Sequence, residues 1–409
     1  MAVLAEPRRG ERDVPIIALV GAAHYSSHVL QLALPPLFPI LHRVFGVSFT
    51  ELGAFVTLFY VASGLGQAAA GVLVDRYGAP RLLAAGLALL SGSILLVGFA
   101  GSYWMLLPLA PIAGLGNSVF HPADLSILSH RVSESRLGRA YAVHGISGSL
   151  GYATSPVLVT AIAAFANWHA ALIAVGLGGL AIAALVLANH NLLDYANTGA
   201  RAEGTERRKP YLTVVGAPVV LMAFGYFAMT SFAGSGMQTF SITALTSGYG
   251  LSLHLATLVL TGYLVGAALG MVAGGVLADR TTQHHRVAMT GIAIAAVLML
   301  GIALTPGLGS LVLPVAALAG IANGITGPSR DVLVRRAAAG IGTGSVFGFV
   351  YSGFDLGSST APLLFGMLLD HGAPHVVFLA IACSFALGVP TVMQVSHRIV
   401  ARPRPAEAD

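Results

Sequence analysis

The chain has 409 residues, 56% of them hydrophobic and 9% charged, with a mean hydropathy of +0.81. A soluble domain of this length with so few charges would be left with an apolar surface, so the composition excludes a soluble enzyme or carrier and implies a polytopic membrane protein. The net charge of +5 is scattered between apolar runs, which argues against a nucleic-acid partner and suits orientation in a lipid bilayer.

Met1–Asp13 is short and charged and has no cleavage site, which reads as a cytoplasmic tail over residues 1–14. Apolar runs long enough to span a bilayer follow near 15–41, 50–74, 81–100, 103–129, 139–163 and 168–189. The polar interval His190–Pro210 comes next, and six more runs fall near 211–245, 253–278, 287–305, 309–333, 343–369 and 374–396. The expected fold is therefore all-α, with twelve transmembrane helices in two pseudo-symmetric six-helix bundles. The N-terminal bundle spans 15–189, a cytoplasmic linker 190–210, the C-terminal bundle 211–396 and a tail 397–409. The first, fourth, seventh and eleventh runs are long enough to tilt or bend. With both termini cytoplasmic, every Lys and Arg except Arg43 falls on the cytoplasmic side, as the positive-inside rule requires. The single cysteine, Cys383, has no partner for a disulfide, and no cofactor is implied.

The halves repeat. Gly114-Leu-Gly-Asn-Ser-Val-Phe-His-Pro-Ala-Asp124 returns in weaker form as Gly320-Ile-Ala-Asn-Gly-Ile-Thr-Gly-Pro-Ser-Arg330. Asn117 matches Asn323, Pro122 matches Pro328 and Asp124 matches Arg330, all at an offset of 206. A chain that repeats itself around polar, proline-broken membrane helices reads most simply as a transporter with two similar halves. Gly71-Val-Leu-Val-Asp75-Arg76-Tyr-Gly78-Ala-Pro-Arg81 also has a second copy, Gly275-Val-Leu-Ala-Asp279-Arg280. Its acid and arginines could latch helix ends on the cytoplasmic side, or serve only as positive-inside charge. Asp124 and Arg330 join Asp75, Arg76, Arg81, Asp279 and Arg280 as candidate gate residues, either as an inter-bundle charge pair or, for the arginine, by snorkelling.

The Gly-x-x-x-Asp-Arg-x-Gly loop and its copy resemble the signature of the major facilitator superfamily. Asn117-Ser-Val-Phe-His-Pro122 and Gly148-Ser-Leu-Gly-Tyr-Ala-Thr-Ser-Pro156 are similar to segments of its fosmidomycin-resistance branch. The superfamily resemblance covers nearly the whole chain, and the branch resemblance rests mainly on 15–165. It implies paired six-helix bundles, alternating access, a monomer and, in this branch, proton-driven drug export.

Intramembrane polar residues mark the path. His24 and His28 share one helix face, roughly 13 and 20 Å in from Pro15 at about 1.5 Å per residue. Imidazole exchanges protons near physiological pH; the same pair could bond structurally across helices or hold a metal ion. Asp355 lies roughly 18 Å into the eleventh run among small polar residues. Low-polarity surroundings disfavour a bare carboxylate, so Asp355, His24 and His28 are the expected proton carriers, with a fixed ion pair as the alternative. Candidate substrate contacts are Gln31, Asn117 and His121 in the first half and Tyr226, Met229, Gln238 and Tyr351 in the second. Pro122 frees the carbonyl of Ser118, so His121 and Asn117 either contact solute or flank a structural kink. His144 reads as locally bonded, one turn into the fifth run.

The expected function is secondary transport of a small organic solute across a bacterial inner membrane, with proton antiport and export of a drug or metabolite favoured. One alternative is a transition-metal or nutrient permease using His24, His28, Met222, Met229 and Met237. Another is a membrane sensor or enzyme, but no nucleophile–base pair is recognisable.

Overall fold

The computed structural model describes residues 9–195, 216–338 and 343–400. The termini and most of the expected 190–210 linker lie outside the described residues. All regular structure among these residues is helical, and the chain divides into two units, Met1–Glu203 and Gly204–Asp409. Eleven stretches are long and apolar enough to cross a membrane. The twelfth expected span is the long helix Thr343–Asp370, whose middle carries Asp355 and a run of hydroxyls and glycines. Each unit therefore supplies six spans, as the apolar runs predict.

In the first unit, α1 runs Arg9–Gln31 and begins before the expected membrane entry at residue 15, with Pro15 inside it. The early start gives Asp13 a structural task. Its carboxylate is buried, accepts the hydroxyl hydrogen bond of Ser133 at 2.5 Å and lies 3.9 Å from Arg136 Nη1. Ser133 precedes the fifth span, so the acid sits where that helix presents its positive end. α1 stops at Gln31 because Pro35, Pro36 and Pro39 donate no backbone hydrogen bonds. The chain turns through the 3₁₀ segment Pro35–Leu37 and resumes as α2, Phe38–Phe45. The first span is thus bent, as its prolines imply.

α3, Phe49–Tyr77, opens with a reciprocal cap between Ser48 and Glu51 and closes at Gly78, whose φ of 85° suits glycine. α4 follows over Ala79–Val97. The fourth span is two helices, α5 (Leu109–Asn117) and α6 (Phe120–Arg131). The break falls at Ser118-Val119, where Pro122 leaves the Ser118 carbonyl without its helical donor. α7, Glu134–Phe165, and α8, Trp168–Ala188, complete the bundle. The short α9, His190–Leu193, starts the linker and is docked on α6: Arg131 Nε donates to the Leu192 carbonyl at 3.1 Å, and His130 stacks on Tyr195 at 4.3 Å.

The second unit comprises α10 (Pro218–Gly248), α11 (Leu253–Arg280), α12 (His284–Leu304), α13 (Val312–Ala338), α14 (Thr343–Asp370) and α15 (Pro374–Val400). Its tightest seam joins α11 and α13. A methyl on Gly266, Gly270 or Gly274 would come within 2.2–2.4 Å of backbone carbonyl oxygens of α13, and one on Gly320 or Gly324 within 2.0 Å of those of α11. Only glycine permits this backbone approach, the usual source of helix cohesion in lipid.

Candidate functional site

The polar residues of the first unit converge on one buried carboxylate. Asp124, on the second turn of α6, is fully buried, and its Oδ2 has two imidazole neighbours at 3.1 Å: His24 Nδ1 from α1 and His144 Nε2 from α7. The His144 contact is a hydrogen bond. His24 Nδ1 reaches the same oxygen off the line of a hydrogen bond, and Asp124 Oδ1 has no hydrogen-bond partner. The two imidazoles stack at 3.7 Å, with His28 at 4.5 Å and His121 at 5.6 Å from His24. His28 also packs on Tyr152 at 4.1 Å, and its Nδ1 is buried without a partner.

Glycine makes the cluster possible. At Gly148 a methyl would lie 2.8 Å from His24 Nε2 and 3.0 Å from His28 Cε1, and at Gly151 it would lie 2.4 Å from the Tyr25 carbonyl oxygen. α1 can therefore press its histidines directly onto α7. A buried carboxylate is costly unless paired, and several imidazolium charges in one place repel. The arrangement thus favours a proton shared between Asp124 and one of its imidazoles, and it is incompletely satisfied as it stands. His24, Asp124 and His144 offer ligand atoms within 4.8 Å of one another. The two rings lie 23° from parallel.

One turn away, an amide network ties α1 and α7 to α3 and α5. Gln31 Nε2 donates to Asn117 Oδ1 at 2.6 Å, Asn117 Nδ2 to Ser63 Oγ at 2.9 Å, and Tyr152 donates to Gln31 Oε1 at 2.6 Å. The structure thus joins the expected Gln31 and Asn117 and adds Ser63 and Tyr152. His121 is exposed on the first turn of α6. His144, expected to bond locally, instead reaches a carboxylate on another helix. α7 begins at Glu134, which places His144 nearly three turns into that helix instead of one. Asp124, expected as a gate, is occupied within its own bundle.

In the second unit, Asp355 is half-buried and has no hydrogen-bond or ion partner among the described residues. Tyr226 is buried with its hydroxyl 3.4 Å from Thr326 Oγ1, Met229 and Gln238 are half-buried, and Tyr351 donates to Asp331 at 3.3 Å. Met237, a residue of the metal alternative, is fully buried. Arg330 lies against Phe227 and Phe354 and pairs with Asp331 at 2.9 Å. Of the loop residues, Arg76 sits over Tyr77 at 5.3 Å, and Asp75, Arg81, Asp279 and Arg280 are exposed.

The Major Facilitator Superfamily model matches residues 21–245 and 227–408. The chain belongs to this superfamily. It is therefore a multi-pass membrane transporter and not an enzyme. It is 26% identical over 410 residues to the fosmidomycin resistance protein of Escherichia coli (strain K12), covering 96% of each chain. It is also 26% identical to the uncharacterized MFS-type transporter YfnC of Bacillus subtilis (strain 168), over 66% of this chain and 67% of that one. Among solved structures, a bacterial homolog of the human lysosomal transporter Spinster, inward-facing and unoccupied, superposes with a TM-score of 0.77 at 14% identity, covering 97% of this chain and 99% of that one. That likeness speaks for the fold.

Proposed function

We propose that this transporter exports a small organic solute, a drug or metabolite, from the bacterial cytoplasm in exchange for protons, by alternating access. The observation that carries the proposal is the fully buried Asp124, one oxygen of which, Oδ2, faces two imidazoles at 3.1 Å. A proton arriving at this oxygen, or at His24 or His144, changes the charge balance at the crossing of α1, α6 and α7. His28 and His121 extend the relay along the same faces, and Gln31 and Asn117 lie one turn further along, where a polar solute would compete for their hydrogen bonds. Solute and proton then bind to neighbouring parts of one helix crossing, the condition for coupling them thermodynamically.

In this scheme Asp355 is a second proton carrier, in the second bundle, beside solute contacts from Tyr226, Met229, Gln238 and Tyr351. The Asp75/Arg76/Arg81 and Asp279/Arg280 loops latch the cytoplasmic ends, both termini are cytoplasmic, and the transporter acts as a monomer in the inner membrane. The distribution of arginines supports that orientation. Export of a fosmidomycin-like compound draws support from the 26% identity to the Escherichia coli resistance protein.

The test is growth and flux together. Cells lacking their own exporters, supplied with this chain, are challenged with fosmidomycin and a panel of metabolites. Inverted vesicles from the same cells are then assayed for uptake with and without an imposed pH gradient. Resistance with gradient-dependent uptake supports the proposal; uptake indifferent to the gradient overturns proton coupling.

A further inference from the structure

The histidine–carboxylate cluster is not satisfied by its own atoms. His24 Nδ1 and Asp124 Oδ1 are buried without a hydrogen-bond partner, and so is Nδ1 of His28, whose ring lies 4.5 Å from that of His24. Unpartnered polar atoms are costly at such depth. One shared proton bridges a single pair of them and leaves the others as they are.

The distances fit a second kind of occupant. Asp124 Oδ2 lies 3.1 Å from both His24 Nδ1 and His144 Nε2, and ligand atoms of the three residues all lie within 4.8 Å of one another. In a tetrahedral site with ligand bonds of about 2.0–2.1 Å, neighbouring ligand atoms stand roughly 3.3 Å apart. His24 Nδ1 and Oδ2 are thus spaced like two members of a coordination shell, yet off the line of a hydrogen bond, as atoms are when both face a third. For both stacked imidazoles to face one ion, their rings turn about the Cβ–Cγ bond, a torsion with a broad minimum. The donor set is two nitrogens and one carboxylate, which suits zinc and its neighbours, whereas Mg²⁺ and Ca²⁺ ask for oxygen throughout. Asp124 Oδ1 and His28 Nδ1 are unpartnered atoms available for a fourth position. A carboxylate in the shell also offsets half the charge of a divalent ion, and coordination is one of the few ways to hold charge at such depth.

We infer that His24, Asp124 and His144 form a binding site for a divalent transition-metal ion of the zinc type. The ligands come from three helices, α1, α6 and α7, and are only 3%, 0% and 7% exposed. A bound ion is therefore enclosed and ties the three helices together, which makes it an inhibitor of their movement and not a cargo. The coordination stands on the geometry alone and goes beyond the transport reading; only the arrest of exchange rests on that reading.

The experiment uses the full chain without a histidine tag, purified in detergent and freed of metal by chelation. Zn²⁺ is titrated by calorimetry, run to equilibrium because the site is enclosed, and the visible bands of added Co²⁺ report the coordination number. Mg²⁺ is the control ion. Wild type, Asp124→Asn, His24→Gln and His144→Gln are compared. The wild type binds one Zn²⁺ per chain at this site, shows the bands of four-coordinate Co²⁺ and has no comparable affinity for Mg²⁺. Each variant weakens Zn²⁺ by at least about tenfold, since losing a ligand costs no less than losing an outer-shell partner, and the Co²⁺ bands fade. Exposed histidines elsewhere in the chain are the same in all four proteins and cancel in the comparison. Melting without metal reports whether each variant folds, and any one folded variant decides. The inference is overturned if wild type takes up neither Zn²⁺ nor Co²⁺, if it holds Mg²⁺ as tightly as Zn²⁺, or if a folded variant binds Zn²⁺ as wild type does. Added Zn²⁺ should also stop solute-driven proton movement in vesicles of the wild type. Vesicles that move no protons even without metal would count against the proton reading and leave the binding results standing.

Discussion

Gly148→Ala is the sharpest perturbation of the histidine–carboxylate cluster, because it adds one methyl group and removes no functional atom. The new Cβ would stand 2.8 Å from His24 Nε2 and 3.0 Å from both His24 Cδ2 and His28 Cε1. Ordinary contact needs about 3.5 Å or more between such atoms, so both rings must retreat by roughly half an ångström or more. His24 cannot retreat freely, since its other side is stacked on His144 at 3.7 Å and its Nδ1 is 3.1 Å from Asp124. A displacement approaching 1 Å in a reacting group can lower a rate by about 10²-fold. Proton-coupled flux in reconstituted vesicles is therefore expected to fall by about ten- to a hundredfold. The melting temperature should drop less than for a clash with backbone, because the atoms in the way all belong to side chains. Gly151→Ala is the contrasting case. Its Cβ meets the Tyr25 carbonyl oxygen at 2.4 Å, a backbone atom, so overpacking of about 1–3 kcal/mol should lower stability itself. Wild-type flux in a folded Gly148→Ala protein would refute the idea that the placement of His24 and His28 matters.

Asn117→Ala removes the central link between Gln31 and Ser63 and should cost about 1 kcal/mol in stability, read as a lower melting temperature in detergent; no change would mean the network contributes nothing to folding. Gly270→Ala places a methyl 2.2 Å from the Ile321 carbonyl oxygen and should lower the folded yield and the melting temperature by separating α11 from α13. Asp13→Ala removes the acceptor of the Ser133 hydroxyl at the start of α7, with an expected loss of about 1 kcal/mol, typical of a lost helix cap; thermal unfolding of the variant checks it.

Much of the architecture was legible because membrane helices obey one dominant constraint. A run of apolar residues long enough to span lipid announces itself, and each break followed from a named proline: Pro35 and Pro36 end α1, and Pro122 divides α5 from α6. The His24/His28 pair was legible from its spacing on a single helix. Its carboxylate partner was not, since which residues of α6 and α7 face α1 depends on the helix register, set by glycine contacts such as Gly148 and Gly151. The start of α7 was not legible from the apolar run either, because the charged and polar turn at Glu134–Arg139 belongs to the helix and puts His144 nearly three turns from its first residue. The repeat aligned Asp124 with Arg330 and invited a shared role for them. In the structure the aspartate has imidazole neighbours, whereas the arginine has a carboxylate and two phenyl rings, so equivalent positions carry different chemistry. Asp331 was overlooked because an acid beside an arginine at a helix end reads as surface charge until the rings that hold the arginine are seen.

The central claim is that Asp124, with His24 and His144, carries the exchanged proton. The most direct measurement is the change in internal pH of proteoliposomes on adding a transported solute, comparing wild type with Asp124→Asn and with Asp355→Asn. The account predicts solute-driven proton movement in wild type and its loss in Asp124→Asn, while that variant still binds solute. Unchanged proton movement in a folded Asp124→Asn protein would contradict the account, and its loss in Asp355→Asn alone would move the proton path to the second bundle.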